Sequence, residues 1–213
     1  MTAIHAFSTA DLQRQLETED EVRLAATADD YFDLLDDEND AVYLEFNHGK
    51  IIARPNVNTE NHELITATII GLLYKHLSDK PDYRILGSNR PVYVPACALG
   101  FAPDVMVIHG PTELYPRPRR MAATLNPWLL VEVLSDANNS AEFYDKLRCY
   151  RQIPSLKHLL VIAADGMMVS AYTRTEQPNQ WLNTDYERPD QTVPVGDSTI
   201  PMADLYRNIR LAE

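Results

Sequence analysis

Long apolar runs are missing from this 213-residue chain; no stretch approaches the ~20 consecutive apolar residues that span a bilayer. Met1 to Ala10 also lack the basic start and apolar block of a secretory leader. Neither membrane insertion nor secretion is expected, and a cytoplasmic location is. Cys97 and Cys149 are the only cysteines, too few for a disulfide scaffold and in keeping with a reducing compartment. Glycine is scarce at 7 residues, and neither Gly-x-Gly nor Gly-Lys-Ser/Thr occurs. Phosphate-cradling loops need those glycines, so nucleotide-cofactor chemistry is not expected. The absence of Gly-x-Ser-x-Gly argues against a serine hydrolase. The 6 histidines contain no i, i+4 pair, which argues against a zinc site. There is no repeat period and no low-complexity tract.

What is present is globular: 45% hydrophobic and 23% charged residues, enough for one sizeable core and too little for two large ones. The net charge of -12 is unevenly spread. Residues 1–40 hold 12 acidic side chains against Arg14 and Arg23, leaving a balance of only -2 on the other 173 residues. The expectation is an acidic, helical N-terminal appendage over 1–40 and a nearly neutral main domain over 41–213. Such a body is not barred from binding a polyanion.

Ser8 and Thr9 open a short helical pattern through Leu12 and Leu16, and Thr27 reads as the N-cap of a helix over Ala28 to Leu35. Val42 to Phe46 and Lys50 to Arg54 flank Asn47-His48-Gly49, a hairpin pattern. Apolar residues at i, i+4 spacing predict a helix over Asn61 to Leu77. Tyr83 to Leu86, Val92 to Val94 and Pro103 to Ile108 are strand-like, and Trp128 to Leu134 reads as a buried strand. A helix follows over Ala141 to Gln152, then a hairpin from Leu159 to Thr173 and a last short helix near Met202 to Ile209. That order argues for a mixed α/β fold, a sheet with helices packed on it.

Three charged residues stand where charge is expensive. Glu132 lies inside Trp-Leu-Leu-Val-Glu-Val-Leu. An ionised carboxylate in a central strand costs several kcal/mol, on the order of 5, unless compensated. Either it is protonated, or a cation meets it, or an edge strand turns it to water. Asp104, after Pro103, sits at a strand mouth, where Pro-Asp also commonly marks a plain turn. Two carboxylates on neighbouring strands make a hard-oxygen site for Mg²⁺ or Mn²⁺. Lys146 lies about 60° from Phe143 on the margin of the apolar face of its helix. It either snorkels outward or meets the carboxylate on the preceding strand. Together the three suit metal-assisted phosphodiester hydrolysis, with the ammonium offsetting charge developing on phosphorus.

Pro103-Asp104, Val131-Glu132-Val133-Leu134-Ser135, Tyr144-Asp145-Lys146, Tyr150 and Ile153-Pro154-Ser155-Leu156 form a specific combined motif. From about Tyr43 to Tyr206 the chain resembles the Uma-two family, restriction-endonuclease-like proteins of the PD-(D/E)XK nuclease superfamily. The resemblance implies a restriction-endonuclease-like core, a mixed β-sheet flanked by helices. It implies Asp104 and Glu132 as the metal-binding acidic pair, with the main-chain carbonyl of Val133 as a further ligand. The superfamily's usual lysine position is Leu134 here, and the family's lysine on the following helix corresponds to Lys146. Glu45 in the hairpin and His62 at the helix start also match family positions. The hairpin departs from the family's pattern at His48, Lys50 and Leu44. Glu45 or Glu63 could supply a third acidic group, and His62 a proton shuttle or phosphate contact, although a histidine there can also simply bond the backbone.

The expected activity is therefore a Mg²⁺- or Mn²⁺-dependent endonuclease acting on nucleic acid, with DNA as the substrate and a homodimer as the assembly. Arg117, Arg119 and Arg120, assisted by Arg148 and Arg151, could grip phosphates; a solvated loop is the alternative. The rival reading is a non-catalytic member of the same fold serving as a binding or assembly module, its acidic start engaging a basic partner or masking the body's own basic surface.

Overall fold

The computed structural model describes residues 8–37, 39–87, 90–116, 122–134 and 141–210. The chain runs through α1 (Thr9–Leu16), β1 (Val22–Ala25), α2 (Ala28–Leu35), β2 (Val42–Asn47), β3 (Lys50–Pro55), α3 (Glu60–Leu77) and β4 (Tyr83–Gly87). It continues with β5 (Val92–Val94), a 3-10 turn (Pro95–Cys97), β6 (Leu99–Phe101), β7 (Val105–His109), β8 (Pro127–Leu134) and α4 (Ala141–Tyr150). The last elements are β9 (His158–Ala163), β10 (Val169–Arg174), β11 (Trp181–Tyr186), β12 (Thr192–Val195), β13 (Ser198–Pro201) and α5 (Met202–Leu205). Arg117, Arg119, Arg120 and Ser135 lie outside the described residues.

The described residues fall into two units. One is drawn from Met1–Val57, Arg90–Ala102 and Leu114–Leu125, the other from Asn58–Asn89, Pro103–Glu113 and Asn126–Glu213. The first is built on an antiparallel five-stranded sheet in the order β1-β3-β2-β6-β5. Its β2–β3 hairpin closes through His48 and Gly49, at φ 47° and 80°. Two consecutive positive φ values are what a two-residue hairpin turn with the strands' own twist requires. Along β2, Val42, Leu44 and Phe46 are buried while Tyr43 and Glu45 alternate to the other face. Ser8 and Thr27 cap α1 and α2 in reciprocal boxes with Asp11 and Asp30. The acidic segment is not a separate appendage: β1 pairs with β3, and Leu12, Val22, Tyr31, Phe32 and Leu34 are buried in this unit's core.

The second unit holds a six-stranded sheet in the order β11-β10-β9-β8-β7-β4, with the small β12–β13 hairpin beside it in sequence. It is mixed, β8 and β9 being parallel and the other neighbours antiparallel. Parallel neighbours need a crossover, and α4 supplies it. On α3, Ile65, Ile69, Leu73 and Leu77 share one core cluster with Val105, Val107, Leu129, Val131 and Val133. The intervening side chains of β8, Leu130 and Glu132, therefore point to the opposite face. Helices thus flank the mixed sheet on both faces.

Among the described residues no helix is long and apolar enough to cross a membrane. Neither cysteine is a free thiol, which removes the cysteine-based argument for a reducing compartment.

Candidate active site

The β7–β8 register pairs Val105 with Val131 and Met106 with Leu130. Asp104 immediately precedes Val105 and Glu132 immediately follows Val131, so the two acids lie at the same end of the β7–β8 ladder. Glu132 is 6% exposed because β8 is a central strand, with β7 on one side and β9 on the other. Of the three ways to tolerate it, the structure uses a cation, to which it adds a hydrogen-bond donor. Lys146 Nζ lies 3.4 Å from Glu132 Oε1. The Tyr150 hydroxyl donates to the same oxygen at 2.6 Å. Lys146 and Tyr150 are four residues apart and so share one face of α4. The lysine turns inward, its side chain 14% exposed, and its ammonium sits 5.7 Å from the centre of the Tyr150 ring.

Asp104 is held from two sides. Its Oδ2 accepts the Val133 backbone N–H at 2.7 Å. Its Oδ1 lies 3.1 Å from His62 Nε2. In an extended strand the N–H and C=O of one residue point the same way. The Leu134 carbonyl accepts from Ala164 N–H on the β9 side, so the Val133 carbonyl alternates to the Asp104 side.

His62 stands in the first turn of α3, where its backbone N–H donates to the hydroxyl of the N-cap Thr59 at 3.2 Å. Its imidazole is separate from that capping bond and buried. Burial pushes its pKa down, but the hydrogen bond and charge of Asp104, with the charges of Glu63 and Glu132, outweigh it and the net direction is up. Among the described residues Nδ1 has no hydrogen-bond partner, and it lies 3.7 Å from Glu63 Oε1. Glu63 itself is mostly exposed and accepts from Asn58.

Asp104, Glu132, Val133, Lys146 and His62 are therefore linked within the second unit. Glu45 belongs to the first. Its carboxylate accepts from the Tyr43 hydroxyl and from Arg54, each at 3.1 Å. Burial would lower the pKa of Arg54, but the carboxylates of Glu45 and Glu21 beside it hold it above its ordinary value. In the sequence Tyr150 reads as an apolar-face residue of its helix, with Phe143 and Leu147, and as part of the combined motif. Its i, i+4 spacing puts it on the same helix face as Lys146 but does not by itself show that its hydroxyl meets the same carboxylate.

Among the described residues, no group of three or more His, Cys, Asp or Glu side chains gathers as a metal cluster. The oxygens present at this strand end are the carboxylates of Asp104 and Glu132 and the main-chain carbonyl of Val133. Such hard oxygens fit a cation that keeps several waters, as Mg²⁺ and Mn²⁺ do, and not a closed thiolate or imidazole cage.

A mixed sheet flanked by helices, with an acid at the shared end of each of two neighbouring strands, is the architecture of a restriction-endonuclease-like fold. The chain belongs to the Uma2 family, described as putative restriction endonuclease, whose model matches residues 28–203. It is also similar in fold to a putative nuclease belonging to DUF820 from Anabaena variabilis ATCC 29413. That likeness has a TM-score of 0.59 at 18% sequence identity, covering 77% of this chain and 89% of that chain. No curated protein matches the chain.

Proposed function

We propose that this protein is a divalent-metal-dependent nuclease that hydrolyses phosphodiester bonds of DNA. The observation that carries the reading is the pairing of a buried acid with an inward lysine, Glu132 with Lys146 at 3.4 Å, beside Val133, whose N–H donates to Asp104. In this reading Asp104, Glu132 and the Val133 carbonyl hold Mg²⁺ or Mn²⁺. The chemistry such an ion supplies when bound is polarisation of a phosphoryl oxygen and acidification of water. Lys146 lends positive charge where the phosphoryl group becomes more anionic and orients the attacking water. His62 fixes the rotation of Asp104 through Nε2, and its proton is available beside that carboxylate. The Val133 N–H bond keeps Asp104 aimed along the strand end.

The test compares wild type with Glu132→Ala on supercoiled plasmid DNA and on RNA, with Mg²⁺ or Mn²⁺ and with chelator. Cleavage of DNA by wild type alone, abolished by chelator, is expected. Equal cutting by both proteins overturns the site, and cutting of RNA alone overturns the substrate.

A further inference from the structure

Glu132 does not meet Lys146 alone. Tyr150 is completely buried, and its hydroxyl reaches the very oxygen, Oε1, that the ammonium faces. A hydrogen bond of 2.6 Å from O–H to a carboxylate is of the short, charge-assisted kind. The two donors do different things. An ammonium is a compact charge with rotatable donors, so it attracts the carboxylate without fixing its plane. The terminal torsion of glutamate is broad, so the carboxylate rotates unless a rigid donor pins one oxygen. A phenol on a buried ring is such a donor.

The ring is itself held. The Tyr150 carbonyl accepts from Ile153 N–H at 3.0 Å. Just beyond, the Arg174 guanidinium donates to the carbonyls of Arg151, Ile153 and Leu156 at 2.8, 2.7 and 2.7 Å. The end of α4 is thereby tied to β10. The same ring also carries the Lys146 ammonium near its face.

We infer that Tyr150 is a positioning residue for divalent-cation binding: it pins Oε1 of Glu132 so that the carboxylate presents a fixed orientation toward the Asp104 side. This rests on the reading of Asp104 and Glu132 as the metal pair. Outer partners of metal-ligating groups typically change affinity by about 10–100-fold. The experiment is Mn²⁺ titration of the full, chelator-stripped chain, followed by the electron paramagnetic resonance of free Mn²⁺, with thermal midpoints recorded alongside. Tyr150→Phe keeps the ring and removes only the hydroxyl; about tenfold weaker Mn²⁺ binding is expected. Leu147→Val, a buried neighbour on α4 that does not contact the carboxylate through a polar group, controls for simple loosening. It is expected to lower the midpoint while leaving Mn²⁺ affinity within about twofold of wild type. Tyr150→Phe binding Mn²⁺ as wild type does, while Glu132→Gln loses it, overturns the positioning role alone. Leu147→Val weakening binding as much as Tyr150→Phe overturns it too. Glu132→Gln binding Mn²⁺ as wild type does overturns the underlying metal site.

Discussion

At the scale of single residues, the buried carboxylate of Glu132 is stable only in company. Removing one partner of a buried ion pair leaves the other charge uncompensated, typically at a cost of about 3–5 kcal/mol. Lys146→Met is expected to destabilise the metal-free protein by about 3 kcal/mol, the lower end, because the Tyr150 hydrogen bond remains. Adding Glu132→Gln should recover part of that loss, since it removes the charge that Lys146 was compensating. Urea denaturation of the two single variants and the double variant measures it; additive losses would show that the pair is not coupled. Glu132 and Lys146 were legible in the sequence because their positions are energetically costly: a charge inside an apolar strand and one on the margin of an apolar helix face both need a reason. The reason is a contact between residues on different elements, and the i, i+4 pattern gave its direction. Which hydroxyl would complete the shell was not legible. A tyrosine on an apolar face reads as core, and only the folded helix shows that its oxygen ends beside a carboxylate.

At the scale of elements, legibility followed regularity. Capped helices and the hairpin at His48-Gly49 could be read because capping side chains and turn residues are local. Strands β6, β11, β12 and β13 could not. Leu99–Phe101 is three residues with a central glycine, β11 is polar and lies on the sheet edge, and Pro194 interrupts β12. Gly100 earns its place by packing: a Cβ there would meet a Tyr31 ring carbon at 2.5 Å. Gly100→Ala is expected to destabilise the protein by about 1–3 kcal/mol, because Tyr31 is fully buried and has little room to move. Denaturant midpoints check this, and an unchanged midpoint would mean the ring can shift. In the six-stranded sheet, His158 heads β9 with Nε2 accepting the Gly196 N–H at 3.1 Å. Burial, with a smaller contribution from Lys157, pushes its pKa down to about 4. The unfolded chain takes up that proton near pH 6.5. Between those values the unfolded state binds more protons, so stability is complete above about pH 6.5 and falls on acidification toward pH 4, by on the order of 3 kcal/mol. His158→Gln should flatten that part of the stability–pH curve; a curve that keeps its slope would place the acid sensitivity elsewhere.

At the scale of the whole molecule, the net charge of -12 works against approach to a polyanion. Composition locates most of that charge in residues 1–40 but says nothing of how the segment is used. Its acids alternate with Leu12, Val22, Tyr31, Phe32 and Leu34, which are core residues of the first unit. Deleting the segment would strip the edge partner from β3 and remove those side chains, so it tests folding and not masking. Surface charge must be changed without touching the core. Glu17, Glu19 and Asp20 are exposed and lie between α1 and β1. The triple variant Glu17→Gln, Glu19→Gln and Asp20→Asn removes three negative charges and no buried contact. If DNA is the substrate, its affinity for a fluorescent duplex should rise a few-fold at about 20 mM salt and match wild type at about 200 mM, where the Debye length has shrunk below 10 Å. Fluorescence anisotropy with chelator present, which withholds the divalent ion that the proposed turnover requires, reads both conditions. A gain that persists at high salt would mean a local contact was altered, and no gain at low salt would show that the acidic segment does not repel the duplex.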